Sequence, residues 1–394
     1  MAPARSRLTA ALTGLVGIAT LTSLVAVPAS AEDRAPRAGN GSVAVNFTRE
    51  DTKSIDVAES FVPPGKTPIV GDFLGDTSDA GLLDDILWYT PGPGGDALWR
   101  TTGDRSWVAS PTSITGTYTA IPGYFTTSDQ KADIFWYAPG STTDWLWDFN
   151  NDGTITTRAY NIGGTYTPIK GYFTDDGAED IIWYAPGTAA DSWWDFDNTE
   201  ITQRPISVNG TFIPKVASFS GRGSPTFDYI QDILWYAPGS APDAIWDFNP
   251  DTTISKVPLA VNGTYTPVVG DFTHDGFEDV IWYAPGTAKD YLWDFDNATG
   301  AKTQTPLTIN GTYTPLTGEV FEEGFHQTDI VWFRPGAPAD PIWDFENVPD
   351  PVIRSANLVG NRTPVLGSFE LHTYAAEGGG TSTGAGLDIL DRTS

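Results

Sequence analysis

The stretch Asp85-Ile-Leu-Trp88-Tyr89 decides the fold, because variants of it return along the chain at intervals of about fifty residues. The further copies lie at Asp133–Tyr137, Asp180–Tyr184, Asp232–Tyr236, Asp279–Tyr283, Asp329–Phe333 and, in degenerate form, 388–390. Self-similarity at a period of this size is typical of solenoids and propellers. The chain is therefore predicted to repeat one structural unit seven times.

Each unit contains four short apolar runs, which the fifth unit shows most clearly. Its runs cover 266–272, 279–283, 291–295 and 303–309, and Gly, Pro, Asn and Asp separate them. Runs of this length, rich in β-branched and aromatic residues, predict β-strands. No segment after the first 31 residues shows a sustained helical period. Four strands per repeat predict an all-β, seven-bladed β-propeller with four antiparallel strands per blade.

The two ends of the chain are predicted to close the ring together. We expect one propeller over 43–394, with the last blade split between 361–394 and 43–60, because 43–47 matches a third strand and 54–57 a fourth. This pairing would remove an open sheet edge. The predicted blades are 67–115, 116–163, 164–209, 210–262, 263–310, 311–360, and 361–394 with 43–60.

Residues 1–31 have the pattern of a secretory signal peptide. Arg5 and Arg7 precede an apolar stretch, and small residues lead to a predicted cleavage site after Ala31. Residues 32–42 read as a flexible leader. No later apolar run is long enough to span a bilayer, which takes about 20 residues. We expect a secreted, extracellular monomer without membrane insertion.

Composition excludes several classes of function. The chain contains no cysteine, which excludes disulfides, thiolate metal sites and a cysteine nucleophile. Its formal net charge of −28 disfavours nucleic acid as a partner, because an acidic surface repels phosphates. The same carboxylates suit divalent cations, although they would also simply keep an exported protein soluble.

An acidic loop in the fifth unit is the best candidate metal site. Hard cations need several oxygens along one tight loop, and Asp271, Thr273, Asp275, the Phe277 carbonyl and Asp279 fall at alternate positions. The string 270–280 resembles an FG-GAP/VCBS repeat. This resemblance implies an integrin-type propeller with a calcium ion held by these same positions. The alternative is an acidic turn without an ion.

Two other units carry weaker versions of this loop. In the third unit Tyr172 replaces the first ligand and leaves Asp176 and Asp180, with Thr174 and Asp175 as helpers. The first unit offers Asp72, Asp76 and Asp85 around a longer loop. Calcium, where bound, is expected to have a structural role.

The repeated tryptophans suit either sugar stacking or packing between blades. Blades cover one another on both faces, so we predict that the second-strand set is core. The third-strand set, nearer the rim, is predicted to pack as well. These sets are Trp88, Trp136, Trp183, Trp235, Trp282 and Trp332, and then Trp99, Trp147, Trp194, Trp246, Trp293 and Trp343. The aspartate that follows the second set recurs too regularly for one active site, so we expect a repeated hydrogen-bond acceptor.

The loop between the first and second strands varies most in length, and variable loops on a repeat scaffold are typical binding sites. His274, His326 and His372 fall in these loops without a ligand spacing. We see no nucleophile elbow and no phosphate-binding glycine loop. The main hypothesis is a non-catalytic module that binds an extracellular glycan or protein. The alternatives are a polysaccharide hydrolase or lyase with its site at the propeller axis, and a structural surface protein.

Overall fold

The structure is a computed structural model of the chain. It describes residues 43–46, 54–60, 65–74, 83–101, 107–127, 129, 131–140, 142–198, 200–219, 230–295, 302–318, 328–345, 351–356, 358, 365–367, 371–376, 380–385 and 388–392. For 43–60 and from 365 onward, only backbone strands and their pairing are described. The predicted signal peptide and leader therefore lie outside the described residues. No helix long and apolar enough to cross a bilayer occurs within these ranges.

Every strand from Thr67 to Ala356 belongs to one of six four-stranded sheets. The chain first forms β1 (Val43–Asn46) and β2 (Ser54–Ser60). Blade one then consists of β3 (Thr67–Gly71), β4 (Asp85–Tyr89), β5 (Asp96–Thr101) and β6 (Trp107–Thr112). Blade two consists of β7 (Thr119–Gly123), β8 (Asp133–Tyr137), β9 (Asp144–Phe149) and β10 (Ile155–Tyr160). Blade three consists of β11 (Thr167–Gly171), β12 (Asp180–Tyr184), β13 (Asp191–Asp197) and β14 (Glu200–Ile206).

The next three blades repeat this plan. Blade four consists of β15 (Ile213–Ala217), β16 (Asp232–Tyr236), β17 (Asp243–Phe248) and β18 (Ile254–Leu259). Blade five consists of β19 (Thr266–Gly270), β20 (Asp279–Tyr283), β21 (Asp290–Phe295) and β22 (Lys302–Leu307). Blade six consists of β23 (Thr314–Gly318), β24 (Asp329–Phe333), β25 (Asp340–Asp344) and β26 (Val352–Ala356).

Strand pairing gives each blade two distinct ends. In blade five, Gly270 lies opposite Asp279 and Thr266 lies opposite Tyr283. The long loop between the first two strands therefore leaves from one end, which we call the loop end. The Ala-Pro-Gly turn after the second strand and the segment that leads into the next blade lie at the other, which we call the turn end.

The core lies between the blades. All five residues of the second strand are buried in each of the six blades, because a neighbouring sheet covers either face. Within a blade, the two tryptophans meet edge to face, as Trp282 and Trp293 do at 5.2 Å. Between blades, the tyrosine beside the tryptophan continues the contact, with Tyr236 at 5.0 Å from Trp282. This aromatic series confirms the packing role predicted for both tryptophan sets, which are at most 8% exposed.

The prediction of seven equivalent blades is wrong, because the structure has six blades of four antiparallel strands. The remaining strands are β27 (Val365–Gly367), β28 (Leu371–Ala376), β29 (Gly380–Ala385) and β30 (Asp388–Arg392). The chain ends form a mixed sheet in the order β1-β2-β30-β27, in which β2 runs parallel to β30. The expected third strand, β1, lies at the outer edge and pairs with β2 alone. The predicted closure by an antiparallel seventh blade is therefore not supported.

The physical reason for this error is weak specification of strand order and direction. The segment 43–47 lacks the Trp-Asp-Phe that marks the third strand in blades two to six, and its alternating pattern fits either neighbour. Between β27 and β30, the chain forms a separate hairpin of β28 and β29.

Candidate functional site

The acidic loop of blade five joins β19 to β20 at the loop end. It curls because His274 and Gly276 both adopt positive φ, at 60° and 88°. The buried Asp271 side chain stabilises this curl: Oδ1 accepts the His274 N–H at 2.7 Å and Oδ2 accepts the Gly276 N–H at 3.1 Å. Asp275 accepts the Phe277 N–H at 3.0 Å. Both oxygens of Asp271 and one of Asp275 thus bond to the backbone of their own loop.

Asp279, the last predicted ligand, has an unsatisfied oxygen. Its Oδ2 accepts the Phe272 N–H at 3.0 Å, whereas its buried Oδ1 has no hydrogen-bond partner. The buried Oγ1 of Thr273 has none either. Burial, followed by the nearby carboxylates of Asp294, Asp275 and Asp271, raises the pKa of Asp279 to about 8. Two orphaned oxygens beside several carboxylates are the donor set that a hard cation satisfies.

The fit to an ion is partial. Within the described ranges, no three side chains from His, Cys, Asp and Glu converge closely enough to hold a metal. The set of Asp271, Thr273, Asp275, Phe277 and Asp279 is therefore in one loop but not gathered around one point. To bind an ion, Asp271 and Asp275 would have to exchange backbone N–H donors for the cation.

Blade three lacks the orphaned carboxylate oxygen. Asp180 accepts the N–H of Phe196 at 3.0 Å through Oδ1 and that of Phe173 at 3.2 Å through Oδ2. Asp176 is exposed and accepts the Ala178 N–H at 2.9 Å. Because Asp180 is satisfied by the backbone, this loop has less need of a cation than that of blade five.

Blade one uses its first candidate ligand in an ion pair. Lys131 of blade two lies 3.0 Å from Asp72, whose side chain is buried. Asp85 accepts the N–H groups of Leu74, Phe73 and Thr101 at 2.8 to 3.1 Å. The remaining candidate, Asp76, lies outside the described residues. The charge of Asp72 is thus compensated by a lysine.

The loop end also carries a repeated bridge between blades that we did not predict. In blades two to six, the residue before the second-strand aspartate donates its N–H to the preceding blade, as Glu278 does to the Ser218 carbonyl at 3.0 Å. In blades three to six, the side chain of this residue accepts an N–H in return, at 2.8 Å from Ser218 to Glu278 and 3.1 Å from Tyr172 to Gln231. The recurrence of Glu, Gln or Thr at this position was the available signal.

At the turn end, the first aspartate of each third strand accepts two backbone N–H groups. In blade four, Asp243 accepts those of Ala237 and Val261, both at 2.8 Å. This pattern, which we call the aspartate bracket, occurs in all six blades. The bracket residues are Asp96, Asp144, Asp191, Asp243, Asp290 and Asp340.

The second-strand tyrosine ties each blade to the next at this same end. Tyr236 donates its hydroxyl to the Gly263 carbonyl at 2.9 Å and accepts the Tyr265 N–H at 2.8 Å. Blades one, two, three and five repeat the pair, while blade six has Phe333 instead. The repeat pattern locates these tyrosines, but it does not show that their hydroxyls bond to the segment that leads into the next blade.

The aspartate of the Trp-Asp-Phe motif is a repeated acceptor, as predicted. Arg158 lies 3.0 Å from Asp148, and Arg204 and Arg354 pair with Asp195 and Asp344 in the same way. In blades four and five, lysines lie over the third-strand tryptophans, with Lys256 at 3.6 Å from the ring centre of Trp246.

Of the three histidines, only His274 has a described side chain, so their predicted lack of a ligand spacing stays a prediction. His274 lies in the blade-five loop with a buried, unpartnered Nε2. His372 lies on β28, and His326 lies outside the described residues.

No protein-family model matches this chain, and no curated protein sequence matches it significantly. Its placement among FG-GAP/VCBS repeats therefore remains a prediction from the residues.

Proposed function

We propose that this chain is a secreted, non-catalytic binding module that recognises an extracellular glycan or protein through its loop end. The propeller repeats near-identical blades, and the differences among them concentrate in the loops between first and second strands. Such a scaffold presents varied loops on a rigid support, which is a common arrangement for recognition.

We further propose that calcium orders the blade-five loop, in keeping with the resemblance to FG-GAP/VCBS repeats. The observation that carries this proposal is the pair of buried, unpartnered oxygens, Asp279 Oδ1 and Thr273 Oγ1. Asp271, Asp275 and the Phe277 carbonyl would complete the donor set. The ion would neutralise a loop in which carboxylates repel one another, and its role would be structural.

The test is thermal melting of the chain lacking residues 1–31, in EDTA and in millimolar calcium. A ligand at about a hundred times its dissociation constant stabilises the folded state by roughly 2.7 kcal/mol, which raises the melting temperature by several degrees. Asp275→Ala should abolish this rise, whereas Asp176→Ala in blade three should leave it intact. An unchanged melting temperature in calcium would refute the ion.

Binding is tested separately on arrays of extracellular glycans and surface proteins. Retention that falls on Asp275→Ala or in EDTA would support recognition at the loop end. If no retained ligand responds to either treatment, the loop end has no role in recognition. Recovery of the chain in culture medium, without residues 1–31, tests secretion.

A further inference from the structure

The segments that lead from one blade into the next form a second repeated surface, at the turn end. We call them the link segments: Gly116–Thr119, Gly164–Thr167, Gly210–Ile213, Gly263–Thr266 and Gly311–Thr314. Four of their glycines exchange two backbone hydrogen bonds with the Ala-Pro-Gly turn of the preceding blade, as Gly164 does with Gly140 at 2.6 and 3.0 Å. Their backbone is thereby fixed in one conformation.

Each link segment presents an aromatic ring seated on a bare glycine. Gly263 adopts a φ of 145°, and a Cβ there would lie 2.5 Å from the Tyr265 ring. The rings also contact the second-strand tryptophans, with Tyr265 at 6.1 Å from Trp282. They remain half-buried, so part of each ring reaches solvent. The five are Tyr118, Tyr166, Phe212, Tyr265 and Tyr313.

The surroundings of these rings are polar but almost uncharged. An exposed threonine follows the glycine in every link segment, for example Thr165 and Thr264. Among the described residues of the link segments and the adjoining turns, the exposed charged side chains are Lys289 and Arg334. Five of the six bracket aspartates are buried, and Asp191 is half-buried. In a chain of net charge −28, a surface with so little charge favours a neutral ligand.

The number of link segments further restricts the class of ligand. Five similar platforms stand at the fixed spacing of the blades, and Arg334 lies over one of them, with its guanidinium carbon 5.4 Å from the Tyr313 ring centre. Weak, equivalent sites gain affinity when one ligand engages several of them. A tyrosine ring has an apolar face and a polar hydroxyl group at its edge, and the neighbouring threonines add further hydroxyl groups. Such a surface suits a ligand that is both hydroxylated and partly apolar.

We propose that the link segments form a second binding face, distinct from the loop end, for a neutral polysaccharide whose repeated sugar units contact the Tyr or Phe rings of consecutive blades. The exposed threonines would bond to sugar hydroxyls. Because calcium is proposed to act at the opposite end, this face should bind its ligand equally well in EDTA.

The experiment is a pull-down of the chain lacking residues 1–31 on insoluble cellulose, chitin, mannan and curdlan, in EDTA. Thr165→Glu with Thr264→Glu places charge on two platforms without touching the core, and should weaken retention at least tenfold. Thr157→Glu, on the exposed outer strand of blade two, is the matched control and should change nothing. Unchanged melting temperatures would confirm that all variants fold.

Three results would overturn this inference: no retention of the parent chain on any of the four polymers, full retention of the double variant, or equal loss in the control. None of them bears on calcium binding or on ligands of the loop end. Conversely, an unchanged melting temperature in calcium would not contradict polysaccharide binding by the link segments.

Discussion

The two ends of the propeller differ in how they use the same kinds of residue. At the turn end, aspartates and tyrosines make the same hydrogen bonds in blade after blade, and each acceptor is filled. At the loop end, equivalent aspartates have different partners. Asp72 pairs with Lys131, whereas Asp271 at the same position in blade five accepts N–H groups of its own loop. Asp180 Oδ1 accepts the Phe196 N–H, whereas the equivalent oxygen of Asp279 has no hydrogen-bond partner. Contacts that recur from blade to blade therefore stabilise the fold, whereas contacts that differ between blades can change without loss of the fold.

Substitution of an aspartate should give the largest difference between the two ends in the free energy of unfolding. Asp243→Ala leaves the buried N–H groups of Ala237 and Val261 without an acceptor, and should lower the free energy of unfolding by about 4 kcal/mol. Asp275→Ala, measured in EDTA, removes an exposed bond and should cost less than about 0.5 kcal/mol. Urea denaturation of both variants measures the difference. Similar losses in the two would remove the distinction between the ends.

The loop end should also govern the dependence of stability on pH. Burial raises the pKa of Asp85 and Asp133 to about 7 and of Asp180 to about 8, against the opposing effect of backbone N–H groups. The folded state therefore keeps protons that the unfolded chain has released above about pH 4. The stability contributed by these groups is complete below pH 4 and lost as the pH rises through 7 to 8.

We expect each of these three aspartates to lower the free energy of unfolding in EDTA by roughly 3 kcal/mol between pH 5 and pH 8.5. Equilibrium urea titrations at several pH values measure it. Asp133→Asn removes one titrating group and should flatten the profile, which separates this effect from general surface repulsion. A stability that rises with pH would contradict the protonated state of these aspartates.

Glycines at the two ends should respond differently to a methyl group. Gly263→Ala meets both a φ of 145° and the Tyr265 ring, and should cost roughly 2 kcal/mol. Gly276→Ala in the blade-five loop has open space around its Cβ and only its φ of 88° to oppose it, so roughly 1 kcal/mol is expected. Thermal melting compares the stability of the two variants. A larger loss for Gly276→Ala would mean that the Tyr265 ring moves away from Gly263 at little cost in free energy.

Removal of a tyrosine hydroxyl should give the smallest difference in stability between the two ends. Tyr236→Phe removes the bonds to Gly263 and Tyr265 and should cost roughly 1.5 kcal/mol. The hydroxyl of Tyr172, at the loop end, has no hydrogen bond within the part of the chain that the structure describes. Tyr172→Phe should therefore change stability by less than about 0.5 kcal/mol. Chemical denaturation of the pair tests whether the link between blades depends on this oxygen.

The repeated part of the fold could be predicted from the sequence because the same residue pattern occurs in every blade. The Asp-Ile-Leu-Trp-Tyr stretch locates every second strand, and its unbroken apolar character shows that both faces are covered. The terminal sheet could not be predicted in the same way. Its strands lack the aromatic residues of the repeat, so similarity alone does not determine whether β1 or β2 lies beside β30, or in which direction.

The candidate site was predictable in position but not in geometry. Alternating oxygens identified the loop from Asp271 to Asp279, yet spacing cannot show which carboxylates already have backbone donors. Asp271 bonds to the N–H groups of its own loop, and Asp180 looks like a ligand in sequence but is satisfied by Phe173 and Phe196. The hydroxyl of Tyr236 was missed because its partners lie in the next repeat.

The links between blades have a consequence for how such a chain can grow. Tyr236 and Gly263, like Gln231 and the Tyr172 carbonyl, occupy fixed positions in consecutive repeats. A tandem duplication of the coding segment for one blade would thus supply both halves of each new junction in a single genetic event. No second mutation would be required to make the added blade compatible with its neighbours. The near-identity of the blades is what a gene lengthened by such unequal recombination would encode.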